Sequence, residues 1–244
     1  MSHLYLDESL DLAQVAPGET VTLSGDEARH AVTVARVRVG ERIAIGDGGG
    51  VLVHGMVAST GPRELTLEAE DVVVEEAPSP RLVLVQALAK GDRDELAVQA
   101  ATELGVDAVV PWAATRSVSR WDGPKAEKGR QRWAAIVREA VKQSIRAWLP
   151  PVAPVTPTAG LPTALEGCRM LLLEPTATTP LTDIRPDGRD LALVVGPEGG
   201  IAPAELERLM ASGAEPVRLG ASVLRTSTAG PAAIAVLNAA LGRW

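Results

Sequence analysis

From residue 81 onward, short runs rich in Val and Leu alternate with helix-length stretches: RLVLVQAL (81–88), DAVVPW (107–112), RMLLLEP (169–175) and LALVVG (191–196). Apolar runs of about four to eight residues bounded by turn signals read as buried strands. A strand that returns parallel to its neighbour needs a crossover, usually a helix, so this rhythm predicts an α/β domain with a mainly parallel sheet. The sharpest unit is LALVVGPEGGIAPAELERLM (191–210), which reads as strand, glycine turn, helix. Pro203 suits a first helical turn, where a missing N–H is no loss, and Gly213 can end the helix in a left-handed conformation. The unit repeats: PVRLG (216–220) reads as a strand, and the tail from about Ser227 reads as a helix with Ile234, Leu237 and Leu241 on one face. Ligands of open α/β sheets bind beyond the carboxyl ends of strands, so loops 196–200 and 220–226 form a candidate site on pattern alone.

The loop chemistry narrows the ligand. Gly196, Gly199 and Gly200 let backbone approach a ligand, but their spacing is neither the phosphate loop GxxxxGK[ST] nor the dinucleotide GxGxxG. That leaves a nucleotide-binding oxidoreductase poorly supported, and Glu198 would repel a phosphate. A neutral or cationic ligand held by main-chain groups fits better. A tight turn without any ligand would also need these glycines. The second irregular loop, LGASVLRT (219–226), which ends in Arg225 and Thr226, weighs toward a site.

The first 77 residues read differently. Short Val/Leu/Ile runs are punctuated by PGE (17–19), VGE (39–41), GDGGG (46–50) and TGP (60–62), the rhythm of a small β-barrel. EEAPSP (75–80) has the composition of a linker, giving domains 1–77 and 78–244. With no Phe and one Tyr, the cores must be built from Val, Leu, Ile and Ala. The single cysteine, Cys168, permits no internal disulfide and no cysteine-based zinc site, and reads as a buried bystander; no metal is expected. The start has neither a basic nor an apolar leader segment, and no apolar run approaches the roughly 18 residues of a membrane helix, so a soluble cytoplasmic protein is expected.

Net charge is −7, but unevenly spread. Residues 116–146 hold Arg116, Arg120, Lys125, Lys128, Arg130, Arg132, Arg138, Lys142 and Arg146 against Asp122, Glu127 and Glu139, a basic patch suited to RNA. Positions 133, 136, 137, 140, 144 and 148 trace one apolar helical face, which makes Trp133 and Trp148 core residues. Arg138, Lys142 and Arg146 run at i, i+4, i+8 along another side and could meet a phosphate backbone, or form a merely solvated face. Trp121, beside Arg120 in a Gly/Pro-containing loop, is the better base-stacking candidate.

Together GPEGG, LGASVLRT and the small-residue helix after them resemble the C-terminal region of the SPOUT methyltransferases, in particular the RsmE-type enzymes that methylate N3 of a uridine in 16S ribosomal RNA. QALAKGDRDELAVQAATELGVDAVVPW (86–112) resembles that family through Lys90 and the segment Glu103 to Val106. Further matches are Gln143, Ser144, Arg146 and Pro150, and His30, Arg36, Gly40, Asp47 and Gly48. The resemblance spans nearly the whole chain in order. It implies a C-terminal α/β trefoil-knot (SPOUT) domain and an N-terminal PUA-like RNA-binding β-barrel. It also implies a homodimer, a substrate in 16S rRNA or the small ribosomal subunit, and S-adenosyl-L-methionine bound by Leu173 to Pro175, Val195 to Gly200, and Leu219, Gly220, Val223, Leu224 and Thr226.

Transfer of a methyl group to N3 requires loss of the imide proton and spreads negative charge onto two carbonyl oxygens, which an arginine stabilises without titrating. Arg225 is the expected catalytic residue, with His30, Arg36, Arg116, Arg120, Trp121, Arg138, Lys142 and Arg146 as RNA contacts. His30 and His3 are candidate general bases. The family's LRTETA reads LRTSTA here, so any role of that carboxylate does not carry over to Ser227. Lys142 likewise replaces an acidic residue, His3 stands near the usual N-terminal arginine, and Gly230 and Pro231 interrupt a run of helix formers. The competing reading is a non-catalytic RNA-binding protein that keeps the scaffold.

Overall fold

The computed structural model describes residues 3–244, which divide into two compact units. One takes the described residues up to Ala77 together with Val141–Leu149; the other takes Pro78–Ala140 with Pro150–Trp244. A single cut at 77/78 therefore misses the segment 141–149, which packs with the first unit.

The first unit is built on β1 (His3–Leu6), β2 (Thr20–Ser24), α1 (Gly25–Arg29), β3 (Arg42–Gly46), β4 (Val51–Gly61) and β5 (Glu64–Val74). They form a five-stranded mixed sheet in the order β1-β3-β4-β5-β2, with β1 and β3 parallel and the other pairs antiparallel. The barrel expected from the rhythm of turns is thus a curled sheet with β1 and β2 as its edges. Register shifts at His54/Gly55 and Val57/Ser59 bend the long β4–β5 hairpin, as bulges do. Gly55 is required at the first: a Cβ there would stand 2.0 Å from the Glu68 carbonyl oxygen. Alternating inward residues Val21, Leu23, Val51, Val53, Leu65 and Leu67 close the core around Tyr5.

The second unit contains β6 (Leu82–Ala87), α2 (Arg93–Glu103), β7 (Ala108–Ala113), α3 (Pro124–Ser144, its last turn in the first unit), β8 (Thr156–Pro157), α4 (Leu161–Ala164), β9 (Arg169–Leu173), β10 (Leu191–Val195), α5 (Pro203–Ala211), β11 (Glu215–Val217) and α6 (Thr226–Ala240). Its six strands are all parallel, in the order β11-β9-β10-β6-β7-β8. Every residue of β6 and β10 is buried, as expected for central strands covered on both faces. The α/β class with a parallel sheet, expected from the sequence, is the class observed. Without Phe, the core is aliphatic except for Trp112 and Trp133, both fully buried. Cys168 is half-buried beside that core. No helix among the described residues is long and apolar enough to cross a membrane.

Two helix expectations need correction. α3 ends at Ser144, because Ile145 turns to φ 55, so Arg146 and Trp148 lie beyond the helix and the stripe expected through Arg138, Lys142 and Arg146 breaks after Lys142. Pro231, expected to interrupt a run of helix formers, lies in the second turn of α6, and the helix continues past it to Ala240. There it leaves one carbonyl of the helix ladder without its N–H.

Candidate active site

Three strand ends converge. Beyond the carboxyl ends of β9, β10 and β11, the segments Leu173–Pro175, Val195–Ile201 and Leu219–Thr226 enclose a cavity of about 450 Å³, with Arg93 and Ala229 completing its wall. The local reasons are simple. Pro203 starts α5 just after the glycine loop, and Gly200 (φ 70) and Gly220 (φ 75) adopt conformations that side chains resist. In both, a Cβ would meet nothing within 4 Å, so backbone freedom rather than crowding explains the glycines.

Of the residues expected around a cofactor, Leu173, Glu174, Pro175, Val195, Gly196, Pro197, Glu198, Gly200, Leu219, Gly220, Val223, Leu224 and Thr226 line the cavity; Gly199 does not. Its carbonyl accepts a 2.9 Å hydrogen bond from Arg116 Nη1, which ties the glycine loop to the turn after β7. Arg93, Ile201 and Ala229 line it too, outside the expected segments, as do Ala221 and Ser222 of the expected loop 220–226. Arg93 was findable by the strand-end rule used for the other loops, since it follows the carboxyl end of β6.

Glu198 is already engaged. Its Oε1 accepts hydrogen bonds from the Lys90 N–H (3.0 Å) and from Arg93 Nη1 (2.9 Å). Partial burial works against its charge, but main-chain N–H donors, including that of Lys90, and the Arg93 guanidinium outweigh it and hold the carboxyl below its ordinary range. Glu198 and Arg93 thus neutralise each other across the cavity wall. Glu174 is anchored by Thr176, whose hydroxyl donates to Oε1 at 3.0 Å. Thr226 is buried at the first turn of α6; its hydroxyl donates to the Gly196 carbonyl (2.9 Å) and accepts from Gln86 Nε2 (2.9 Å).

Arg225 is the N-cap residue of α6, where its extended backbone lets its carbonyl accept the first helical N–H groups, from Thr228 and Ala229. Its side chain is exposed at the cavity wall and has no hydrogen-bond or ion-pair partner among the described residues. The exposed Val223, 77 % accessible, and Leu224 precede it.

The expected RNA contacts are scattered. Arg116 braces Gly199, and Arg120 donates to the Thr115 carbonyl at 3.1 Å. Trp121 lies against Gly129 of α3, where a Cβ would stand 2.4 Å from its ring, and meets Trp133 edge-on at 5.1 Å. It is packing, not an open stacking platform. Trp148, expected in the core, is half-buried over Gly50 and donates to the Glu75 carbonyl. Lys142 pairs with Glu27 at 3.1 Å, their side chains only 10 % and 16 % exposed. Arg138 and Arg146 are half-buried and also have partners. His30 and Arg36 are exposed in the first unit, in a π-helical turn, His30–Val34, and at a left-handed residue, φ 58. Neither His3 nor His30 lines the cavity.

Known proteins agree with this geometry. Residues 75–238 match the model of an RNA methyltransferase domain and residues 23–70 that of an RNA methyltransferase PUA domain. The chain is 42 % identical over 233 residues to ribosomal RNA small subunit methyltransferase E of Mycobacterium bovis, covering 93 % of this chain and 89 % of the relative. It is 31 % identical to the protein of the same name from Bacillus subtilis, covering 88 % of each. The crystal structure of a ribosomal RNA small subunit methyltransferase E from Neisseria gonorrhoeae bound to S-adenosyl methionine superimposes with a TM-score of 0.85, at 30 % identity and 98 % coverage of both chains. With its cavity formed inside the matched domain and its similarity running through both units, the chain belongs to the RNA methyltransferase family, alongside the ribosomal RNA small subunit methyltransferase E proteins.

Proposed function

We propose that this protein is an S-adenosylmethionine-dependent methyltransferase that modifies N3 of a uridine in the decoding region of 16S ribosomal RNA. The observation that carries the proposal is the cavity at three parallel strand ends, with an unpartnered arginine, Arg225, in its wall. The residues present fit the cofactor. A cleft of about 450 Å³ lies within the range of small-molecule sites. Its lining is aliphatic and glycine-rich, suited to an adenine held by main-chain groups. Its charged members are equal in number, two carboxylates (Glu174 and Glu198) and two guanidiniums (Arg93 and Arg225), so no excess of positive charge recruits a phosphate. In this reading the segments 173–175, 195–198 and 219–224 hold the cofactor, and Thr226 fixes the relation of two of them.

When bound, S-adenosylmethionine supplies an electrophilic methyl group on a sulfonium. This chain's residues orient and polarise the acceptor. Arg225 faces the carbonyl oxygens of the uridine imide and lowers the proton affinity of N3, because a fixed positive charge stabilises the anion left behind. No histidine lines the cavity; in this scheme the N3 proton passes to solvent water, and the Arg225 charge stabilises the anion that then accepts the methyl group as the sulfonium–carbon bond breaks. Alignment of acceptor and donor supplies the remaining acceleration.

The first unit is assigned the task of holding RNA. His30 and Arg36 support this: both are exposed, beside a π-turn and a left-handed backbone, local features that cluster at functional sites. Arg146 is a further contact in this scheme. A second copy of the chain closes the site over the exposed Val223 and Leu224, giving a homodimer that works in the cytoplasm on the small subunit. Calorimetry with S-adenosylmethionine, followed by methylation of small-subunit RNA and mass mapping of the product, tests the proposal. Absence of binding, or a methyl group on any atom other than uridine N3, overturns it.

A further inference from the structure

Gln86 is the last but one residue of β6, the strand next to β10, and it is fully buried. A glutamine there is unexpected in a run of Val, Leu and Ala. Its amide nitrogen donates to the Ala87 carbonyl (3.1 Å) and to the Thr226 hydroxyl (2.9 Å). The Thr226 hydroxyl in turn donates to the Gly196 carbonyl (2.9 Å). The direction of this relay is fixed by chemistry: the carbonyls of Ala87 and Gly196 can only accept, so Thr226 must give its proton to Gly196 and receive one from Gln86. Three separate pieces of chain meet in the relay, namely the end of β6, the glycine loop after β10 and the first turn of α6. Gly196 and Thr226 both line the cavity, and Thr226 follows Arg225 directly.

The other half of the amide is unsatisfied. Gln86 Oε1 is buried without a partner among the described residues. It faces α6 at Gly230, where an added Cβ would lie 3.7 Å from it, and the next residue, Pro231, has no N–H to offer. A buried acceptor without a donor is a cost that an apolar side chain of the same shape would avoid. Stability alone would place Met or Leu at this position.

We infer that Gln86 is a positioning residue for the methyl-transfer site: through Thr226 it locks the glycine loop to the start of α6, and so fixes both the cavity wall and the origin of the Arg225 side chain, at a cost in stability. The inference rests on the function proposed above only for its ligand, because the lock itself can be observed in the free protein.

The experiment compares wild type with Gln86→Met, Thr226→Val and Thr226→Ser in three readouts. In ligand-free protein, amide hydrogen exchange at residues 196–200 and 226–229 rises about tenfold in Gln86→Met and Thr226→Val and stays near wild type in Thr226→Ser, which keeps the hydroxyl. Thermal unfolding of Gln86→Met is unchanged or raised, because the orphaned acceptor is gone. Calorimetry with S-adenosylmethionine shows Kd weakened about tenfold in Gln86→Met and restored to within about threefold in Thr226→Ser. Local exchange that stays at the wild-type rate overturns the lock, and a lowered Tm in Gln86→Met overturns its cost in stability. A wild type that fails to bind S-adenosylmethionine overturns the ligand, and the exchange data still decide the lock.

Discussion

Two regions of this protein carry arginines that a sequence reader would send to RNA, and they use them in opposite ways. Between residues 116 and 146, the arginines and Lys142 are absorbed by the protein itself, among them Arg116 by a glycine carbonyl, Arg130 by Glu127, Arg132 by Glu95 and Lys142 by Glu27, while Lys125 and Lys128 stay exposed. At the cavity, Arg225 is exposed and has no protein partner among the described residues. Charge counted along the chain therefore overstates the charge available to a ligand. A guanidinium already satisfied by a fixed carboxylate has little free energy left to offer, whereas one left open beside a cavity interacts at nearly full strength when water is excluded.

The largest expected effect tests the open arginine. Arg225→Ala lowers the rate of methyl transfer by about a hundredfold to a thousandfold, the scale on which loss of one preorganised group for a developing oxyanion is felt. S-adenosylmethionine affinity and Tm stay near wild type, since the side chain makes no hydrogen bond or ion pair with the described residues. Single-turnover kinetics with saturating cofactor measures this, and a loss confined to cofactor Kd would move Arg225 from chemistry to binding.

The reverse holds for Lys142. Removing one partner of a largely buried pair leaves the other charge less compensated. Lys142→Met should cost roughly 2 kcal/mol, less than for a fully buried pair, because the two side chains keep 10 % and 16 % exposure and Glu27 also accepts from the Leu6 N–H. Adding Glu27→Gln recovers part of that loss. Denaturant unfolding of the three variants checks the cycle. If Lys142→Met left stability unchanged and instead weakened RNA binding at low salt, the contrast between the two regions would collapse.

Arg116 lies between these extremes. It braces Gly199 from outside the cavity, so Arg116→Ala should loosen the glycine loop and weaken S-adenosylmethionine binding by about threefold. RNA affinity should move by less than about a factor of two. Paired titrations with cofactor and with RNA decide which ligand feels the change.

How far each region was legible follows from the same chemistry. The cavity residues sit where strand periodicity ends and glycine begins, and that is a local signal: LVVGPEGG and RLGASVLRT place their loops at strand ends without further knowledge. Gly199 was misassigned because its carbonyl turns to Arg116, a contact 83 residues away in sequence. Arg93 follows the carboxyl end of β6 and so falls under the strand-end rule, but its place beside the β10 loop depends on the strand order β11-β9-β10-β6-β7-β8, which no local pattern encodes. The α3 stripe failed at one residue: Ile145, β-branched, adopts φ 55, which the pattern could not anticipate. Lys142 looked anomalous beside its family's acidic residue until Glu27, far away in the chain, supplied the charge that makes a lysine suitable.

The smallest effect concerns two carboxyls, Asp94 in the first turn of α2 and Glu198 in the loop after β10, whose environments push them apart. Burial raises Asp94 above its ordinary value despite hydrogen bonds from the Ala89 and Glu95 N–H groups, while Glu198 is lowered by its main-chain donors and Arg93. A depressed carboxyl stabilises the fold in its ionised form, fully above its unfolded value near 4.5, and loses that contribution as pH falls through the lower folded value. A raised carboxyl does the opposite: its contribution is present when protonated, below 3.8, and is lost as pH rises through the folded value. Glu198→Gln should therefore lower stability slightly at pH 7, with the difference fading below about pH 4.5, whereas Asp94→Asn should lose less at pH 7 than at pH 3 relative to wild type. Denaturant unfolding across pH 3 to 7 measures both trends. A Glu198→Gln difference that did not depend on pH would mean that Arg93 does not hold Glu198 ionised, and the balanced charges in the cavity wall would have to be redrawn.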